Sequence, residues 1–83
     1  MEITPEIVRR ALSFVVDTPV DIAGDVPLIE SRLKVNSLAM MALCAQLEQI
    51  AQVKIPQYEA MRLYAGSIDQ IVSWFERNRR EMS

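Results

Sequence analysis

Proline and glycine constrain the possible fold of this chain more than any other feature of its sequence. The 83 residues include only four prolines and two glycines, and each lies where a helical pattern begins or ends or where a loop is expected. Between these positions, apolar residues recur every three or four residues, which is the spacing of one face of a helix. A chain of this length makes one small domain. We therefore predict that residues 1–83 form a single all-α domain, a small four-helix bundle with a long loop between the first two helices and a short third helix.

The first helix is predicted to begin at Pro5 with Thr4 as its N-cap. Proline favours the first helical position, and a threonine oxygen can accept a free backbone N–H. The helix should end before Thr18, because a residue that precedes proline avoids the helical region. Its core face is predicted to consist of Val8, Ala11, Leu12 and Val15.

The segment from Thr18 to about Asn36 is predicted to be a loop, because two prolines and one glycine interrupt it. Structureless loops of this length are uncommon in compact domains, so part of the segment should be fastened to the core. We expect a short helical turn near residues 28–33. Four apolar side chains are expected to hold the loop in place: Leu28, Ile29, Leu33 and Val35.

The second helix is predicted from about Ser37 to Ala51, and it carries apolar residues on two sides. One side should face the core: Met40, Leu43, Leu47, Ile50 and Ala51. The other side, here called the outer face, is a candidate docking surface because it is apolar or neutral: Leu38, Met41, Ala42 and Ala45. Alternatively, Met40 and Met41 only fill gaps in the core. Cys44 is expected to be buried and unreactive.

Two further helices are predicted in the last third of the chain. Residues 57–64 can form a short third helix that Gly66 ends, and Ser67 with Gln70 forms a capping box that opens the fourth helix. Trp74 is expected to be half-buried at the edge of the apolar face of the fourth helix. That face consists of Ile68, Ile71, Val72 and Phe75.

Composition argues against several classes of function. The chain has no histidine, which removes a histidine-based nucleophile triad and most zinc sites, and its single cysteine excludes an internal disulfide. The net charge of −2 does not favour nucleic-acid binding, although residues 1–30 hold six acids and two arginines, a net charge of −4 that could meet a basic surface. No apolar run is long enough to span a membrane, and the N-terminus does not resemble a signal peptide. We expect a cytoplasmic protein that is not an enzyme.

Ser37 lies at the entrance of the second helix and has two interpretations. It can be the N-cap, a position that serine and asparagine both favour. Alternatively, its hydroxyl can be a site of covalent modification.

The order of elements resembles that of the acyl carrier protein family over roughly residues 7–75. The chain has a helix, a long loop, Ser37-Leu38, a second helix, Ile55-Pro56 and two further helical stretches in that order. In the family, the serine lies in a Gly-x-Asp-Ser-Leu/Ile motif at the start of the second helix. Here Lys34 and Asn36 stand in place of the glycine and the aspartate.

The resemblance implies that Ser37 carries 4′-phosphopantetheine, transferred from coenzyme A by a phosphopantetheinyl transferase, and that Asn36 flanks the attachment site. The arm would hold acyl groups as thioesters and present them to acyl-processing enzymes such as a ketosynthase, an acyltransferase or a ligase. We expect a specialised carrier in fatty-acid, polyketide or related lipid biosynthesis. The acyl tail could be sheltered by five side chains that would equally make an ordinary core: Leu43, Leu47, Ala60, Leu63 and Ile68.

Departures from the family pattern predict differences in modification and in partner binding. An amide is a weaker ligand for a hard cation than a carboxylate, so Asn36 predicts slower modification or a dedicated transferase. Ala39, Ala42 and Gln49 stand where the family commonly has acids. Partner binding should therefore depend on apolar contact and be insensitive to salt.

Two alternatives to an acyl carrier remain open. The chain could be an unmodified adaptor that acts through Leu38 and Met41. It could also be a stand-alone aminoacyl or peptidyl carrier, which shares the modified serine and differs in cargo.

Overall fold

The computed structural model describes residues 2–31, 33 and 35–82, with side chains as far as Asn78. Among the described residues there is no strand, only an isolated antiparallel bridge between Pro27 and Ser67. The predicted all-α fold with four helices, a long first loop and a short third helix is confirmed. The elements are α1 (Pro5–Val16), a 3₁₀ turn (Leu28–Glu30), α2 (Ser37–Ala51), α3 (Gln57–Tyr64) and α4 (Ile68–Met82).

Local hydrogen bonds define the ends of α1. The backbone N–H of Ile7 donates to Oγ1 of Thr4 at 3.2 Å, and Pro5 occupies the first turn, as predicted. At the other end Asp17 adopts the left-handed conformation, with φ of 55°, and its N–H donates to the carbonyl of Ser13. The chain therefore leaves the helix one residue before Thr18, where the following proline would have opposed its continuation.

The loop between α1 and α2 is tied to the junction of α3 and α4. The N–H of Leu28 donates to the carbonyl of Gly66 at 3.1 Å, and the N–H of Asp69 donates to the carbonyl of Gly24 at 2.9 Å. A Cβ atom on Gly24 would meet the carboxylate of Asp69, an exposed side chain that would have to turn away. These two hydrogen bonds position the loop that leads to α2.

Three of the four side chains predicted to fasten this loop pack on the core, and one does not. Leu28 and Val35 are buried, and Leu33 packs partly against the core. Ile29 is 45 % exposed, so its predicted role was wrong. In a 3₁₀ turn, neighbouring residues lie about 120° apart, and with Leu28 pointing inward Ile29 is turned toward solvent.

One cluster of buried side chains contains residues from all four helices. α1 lies against α2 and α4, and α3 lies against α2. Each large apolar side chain that is fully buried stabilises the fold by about 1.5–3 kcal/mol. The most completely enclosed side chains are Val8, Leu12, Leu28, Met40, Leu43, Leu47, Ile68 and Ile71.

Trp74 is more deeply buried than the sequence predicted: it is 3 % exposed rather than half-buried. It follows Ile71 by three residues and therefore shares its side of α4. Its ring meets Phe75 edge to face, with centroids 5.0 Å apart. The indole Nε1–H donates to Oε2 of Glu59 on α3 at 3.1 Å. This partner on another helix satisfies the one polar atom of the indole and permits its burial.

The predicted capping box opens α4. The N–H of Ser67 donates to Oε1 of Gln70 at 2.8 Å, and the N–H of Gln70 donates to Oγ of Ser67 at 3.3 Å. None of the helices that the structure describes has the length and apolarity needed to cross a membrane.

Candidate functional site at the start of α2

Asn36, rather than Ser37, is the N-cap of α2. Asn36 has extended backbone angles, and its Oδ1 accepts the backbone N–H of Ala39 at 2.8 Å. Ser37 is the first residue of the helix proper. The interpretation of Ser37 as the capping residue was therefore wrong, because the residue before it performs that role.

The Ser37 side chain is exposed. Among the residues that the structure describes, its hydroxyl has no hydrogen-bond partner. An exposed serine hydroxyl at the start of a helix is accessible to a modifying enzyme. Lys34, the other departure from the family motif, lies outside the described residues.

The electrostatic surroundings of Ser37 favour an anion. The first turn of the 15-residue helix contains no acidic residue, and its cap is the neutral amide of Asn36. The N-terminus of such a helix carries partial positive charge and free backbone N–H groups, which stabilise a phosphate group placed there. The arrangement fits the phosphodiester through which a phosphopantetheine arm would be attached.

The outer face of α2 is exposed, as predicted. Leu38 is 73 % exposed and Met41 is 52 % exposed, and Ala42 and Ala45 are also exposed. Met40 is fully buried, so gap filling describes Met40 but not Met41. Two large apolar side chains thus stand in solvent within one turn of Ser37.

α3 adds exposed apolar residues that the sequence interpretation missed. Met61 is 65 % exposed and Tyr58 is 70 % exposed. Tyr64, one turn after Met61, lies close to α2: burial, and then the charges of Cys44 and Glu48, raise its pKa. Met61 and Tyr58 thus lie off the side of α3 that packs against the core. The spacing of Ala60 and Leu63 along the short third helix could have shown this, since it marks their side as the core face and leaves Met61 and Tyr58 outside it.

The five residues proposed as an acyl pocket are brought together, but as parts of the packed core. Leu43, Leu47 and Ile68 are fully buried, and Ala60 and Leu63 are less than one-tenth exposed. Leu63 also lines a surface groove between α3 and α4. An acyl tail would reach these side chains only if the helices around them moved apart.

Cys44 is buried in the core cluster, as expected. Burial, and then the nearby charge of Glu48, raise the pKa of its thiol from 9.0 to about 11. The thiol is therefore protonated at neutral pH and is a poor nucleophile. Within the described part of the chain, no group of three or more His, Cys, Asp or Glu side chains is placed to hold a metal ion.

Comparisons with protein-family models, with curated proteins and with solved structures found no match to this chain.

Proposed function

We propose that this protein is a carrier that holds acyl intermediates as thioesters on a 4′-phosphopantetheine arm attached to Ser37. The observation that carries the proposal is the state of the Ser37 hydroxyl: it is exposed at the start of α2, and Asn36 provides the helix cap in its place. When bound, the arm would supply the thiol that forms the thioester. The protein itself would break no bond.

The chain's own residues would have separate tasks in such a carrier. Ser37 provides the attachment oxygen, and the first turn of α2 stabilises the phosphate charge through its free N–H groups. Leu38 and Met41 offer apolar contact to a phosphopantetheinyl transferase and then to acyl-processing enzymes such as a ketosynthase, an acyltransferase or a ligase. The site of action would be the cytoplasm, in fatty-acid, polyketide or related lipid biosynthesis.

Mass spectrometry of the intact protein tests this proposal. Incubation with a broad-specificity phosphopantetheinyl transferase and coenzyme A should add the mass of one phosphopantetheine group. Ser37→Ala should abolish the addition. Ser73→Ala is the matched control, because Ser73 is another exposed serine on a helix, and it should leave the addition intact. Protein purified from its native host should carry the same added mass. Its absence from both preparations would contradict the proposal.

A second candidate is an unmodified adaptor, and the exposure of Leu38 and Met41 favours it because it requires no modification. An adaptor would show no added mass in the native host and would keep its function in Ser37→Ala. A stand-alone aminoacyl or peptidyl carrier would be modified at Ser37 and differ only in cargo. Trapping the native thioester and measuring the mass of the released acid or amino acid separates these carriers.

A further inference from the structure

A groove of about 450 Å³ lies between α3 and α4. A second, smaller pocket shares four residues with this groove and is here called its polar part. It has a volume of about 190 Å³ and is lined by Glu59, Arg62, Trp74, Arg77 and Asn78. Small-molecule pockets usually measure roughly 300–1,000 Å³, so this polar part has room for a side chain rather than for a cofactor.

The hydrogen bonds within the groove do not involve its two arginines, which are therefore available to bind a ligand. The carboxylate of Glu59 accepts the indole N–H of Trp74, and the side-chain amide of Asn78 donates to the carbonyl of Trp74 at 2.8 Å. Among the described side chains, Arg62 and Arg77 have neither an ion pair nor a hydrogen bond. Both guanidinium groups are exposed. The polar part therefore holds two positive charges that have no partner among the described residues, beside one carboxylate that accepts a neutral donor. A second carboxylate, that of Asp69, lines the rest of the groove.

We propose that this groove binds a carboxylate side chain from an acidic segment of a partner protein. A guanidinium group matches the planar geometry of a carboxylate with two parallel N–H donors. Two arginines and one glutamate give the polar part a net charge of +1, and Asp69 brings the groove as a whole to zero. This balance suits a segment with only one or two acids. A polyanion would be repelled by the chain as a whole, whose net charge is −2. The interaction does not depend on modification of Ser37.

Trp74 makes the groove directly observable. It is the only tryptophan in the chain, so its indole N–H gives a single signal in a nitrogen–proton correlation spectrum. Titration with the blocked peptide acetyl-Ala-Glu-Glu-Ala-amide should shift this signal with saturation. The dissociation constant should be on the order of 30 mM, because two exposed ion pairs contribute at most about 1 kcal/mol each. Raising the salt concentration to about 0.5 M should weaken the binding, because exposed charges are screened.

Charge variants test the assignment. The double variant Arg62→Gln/Arg77→Gln should weaken peptide binding by about fivefold or more. The matched control Arg10→Gln removes an exposed positive charge from α1 and should leave the affinity unchanged. Glu59→Gln keeps an oxygen that can accept the Trp74 hydrogen bond and removes the repelling charge, so it should strengthen binding about twofold. Thermal unfolding of each variant shows that the fold is retained, and the salt titration of the unaltered protein tests the proposal independently of folding.

Several results would overturn the proposal. One is an equal shift of the Trp74 signal with acetyl-Ala-Gln-Gln-Ala-amide, and another is unchanged affinity in the double variant. A saturating shift with inorganic phosphate but not with the acidic peptide would identify a free-phosphate site instead. Stronger binding to a single-stranded oligonucleotide would identify nucleic acid as the ligand. A shift that follows protein concentration alone, with a dimer in sedimentation, would identify a second copy of this chain as the occupant.

Discussion

Substitution of Asn36 separates the stability of α2 from the chemistry of Ser37. In Asn36→Ala, the hydrogen bond of 2.8 Å between Oδ1 and the N–H of Ala39 is lost. Loss of an N-cap typically lowers the free energy of unfolding by about 1 kcal/mol, within a range of roughly 0.5–2 kcal/mol. For a domain of this size, 1 kcal/mol corresponds to a decrease in Tm of about 4–8 °C. Thermal unfolding followed by circular dichroism measures this change.

Asn36→Asp should act in the opposite direction. An aspartate oxygen can still accept the N–H of Ala39, and its negative charge adds about 0.3–1 kcal/mol at the positive end of the helix. Because a carboxylate is also the better ligand for a hard cation, transfer of phosphopantetheine to Ser37 should become faster. The transfer rate is measured by intact mass over time at a fixed concentration of transferase.

Ser37→Ala is the control for the assignment of the cap. The hydroxyl has no hydrogen-bond partner among the described residues, so its removal should change the free energy of unfolding by less than about 0.5 kcal/mol. If Ser37→Ala destabilised the protein as much as Asn36→Ala, the cap would be assigned to the wrong residue. If Asn36→Asp left the transfer rate unchanged, the role given to this position in modification would be refuted.

Three further predictions follow from the loop, the core and the outer face of α2. Gly24→Ala should change stability by less than about 1 kcal/mol, because the exposed Asp69 carboxylate can turn away from the new Cβ and a less flexible unfolded chain contributes roughly 0.4–1 kcal/mol in the opposite direction. Thermal unfolding measures this change, and a loss of about 3 kcal/mol would contradict the argument. Cys44 should react slowly with iodoacetamide at pH 7.5 in the folded protein and rapidly in urea, and rapid alkylation of the folded protein would disprove its burial. Because the pKa of its thiol is about 11 in the folded protein and 9.0 in the unfolded chain, its contribution to stability should be complete below pH 9 and be lost as the pH rises toward 11. Urea titrations at pH 8 and pH 10.5 measure this loss. Leu38→Ala/Met41→Ala should weaken binding of the transferase about tenfold or more by removing exposed apolar contact area. The affinity of the unaltered protein for the transferase should change little between low and high salt, and a steep salt dependence in calorimetric titration would count against an apolar interface.

Elements set by interactions between near neighbours were predictable from sequence. The Thr4 cap of α1 and the Ser67–Gln70 capping box each join residues three positions apart, and such pairs can be recognised in the sequence. The bounds of α2 were predicted correctly for the same reason, although the capping oxygen belongs to Asn36. Here the sequence contained two adjacent residues of similar capping preference, and only the backbone geometry distinguishes them.

Features that depend on distant partners were not predictable in this way. The burial of Trp74 depends on an acceptor, Glu59, that is fifteen residues away on another helix. Likewise, nothing in the linear order of the sequence brings Arg62 beside Arg77. The candidate modification site itself was found from sequence, whereas the exposure of Ser37 and the assignment of the cap to Asn36 required the structure.

The attachment of the first loop to the α3–α4 junction has a consequence for the order in which the chain can fold. Leu28 and Gly24 find their backbone partners at Gly66 and Asp69, about forty residues later. Contacts of such long sequence separation form late, because a large segment must first be closed into a ring. During synthesis on a ribosome, α1 and α2 can emerge and pair while this loop still has no partner. The segment that leads to Ser37 would therefore become ordered only after Asp69 has emerged. An ordered start of α2 would then indicate that α4 has docked.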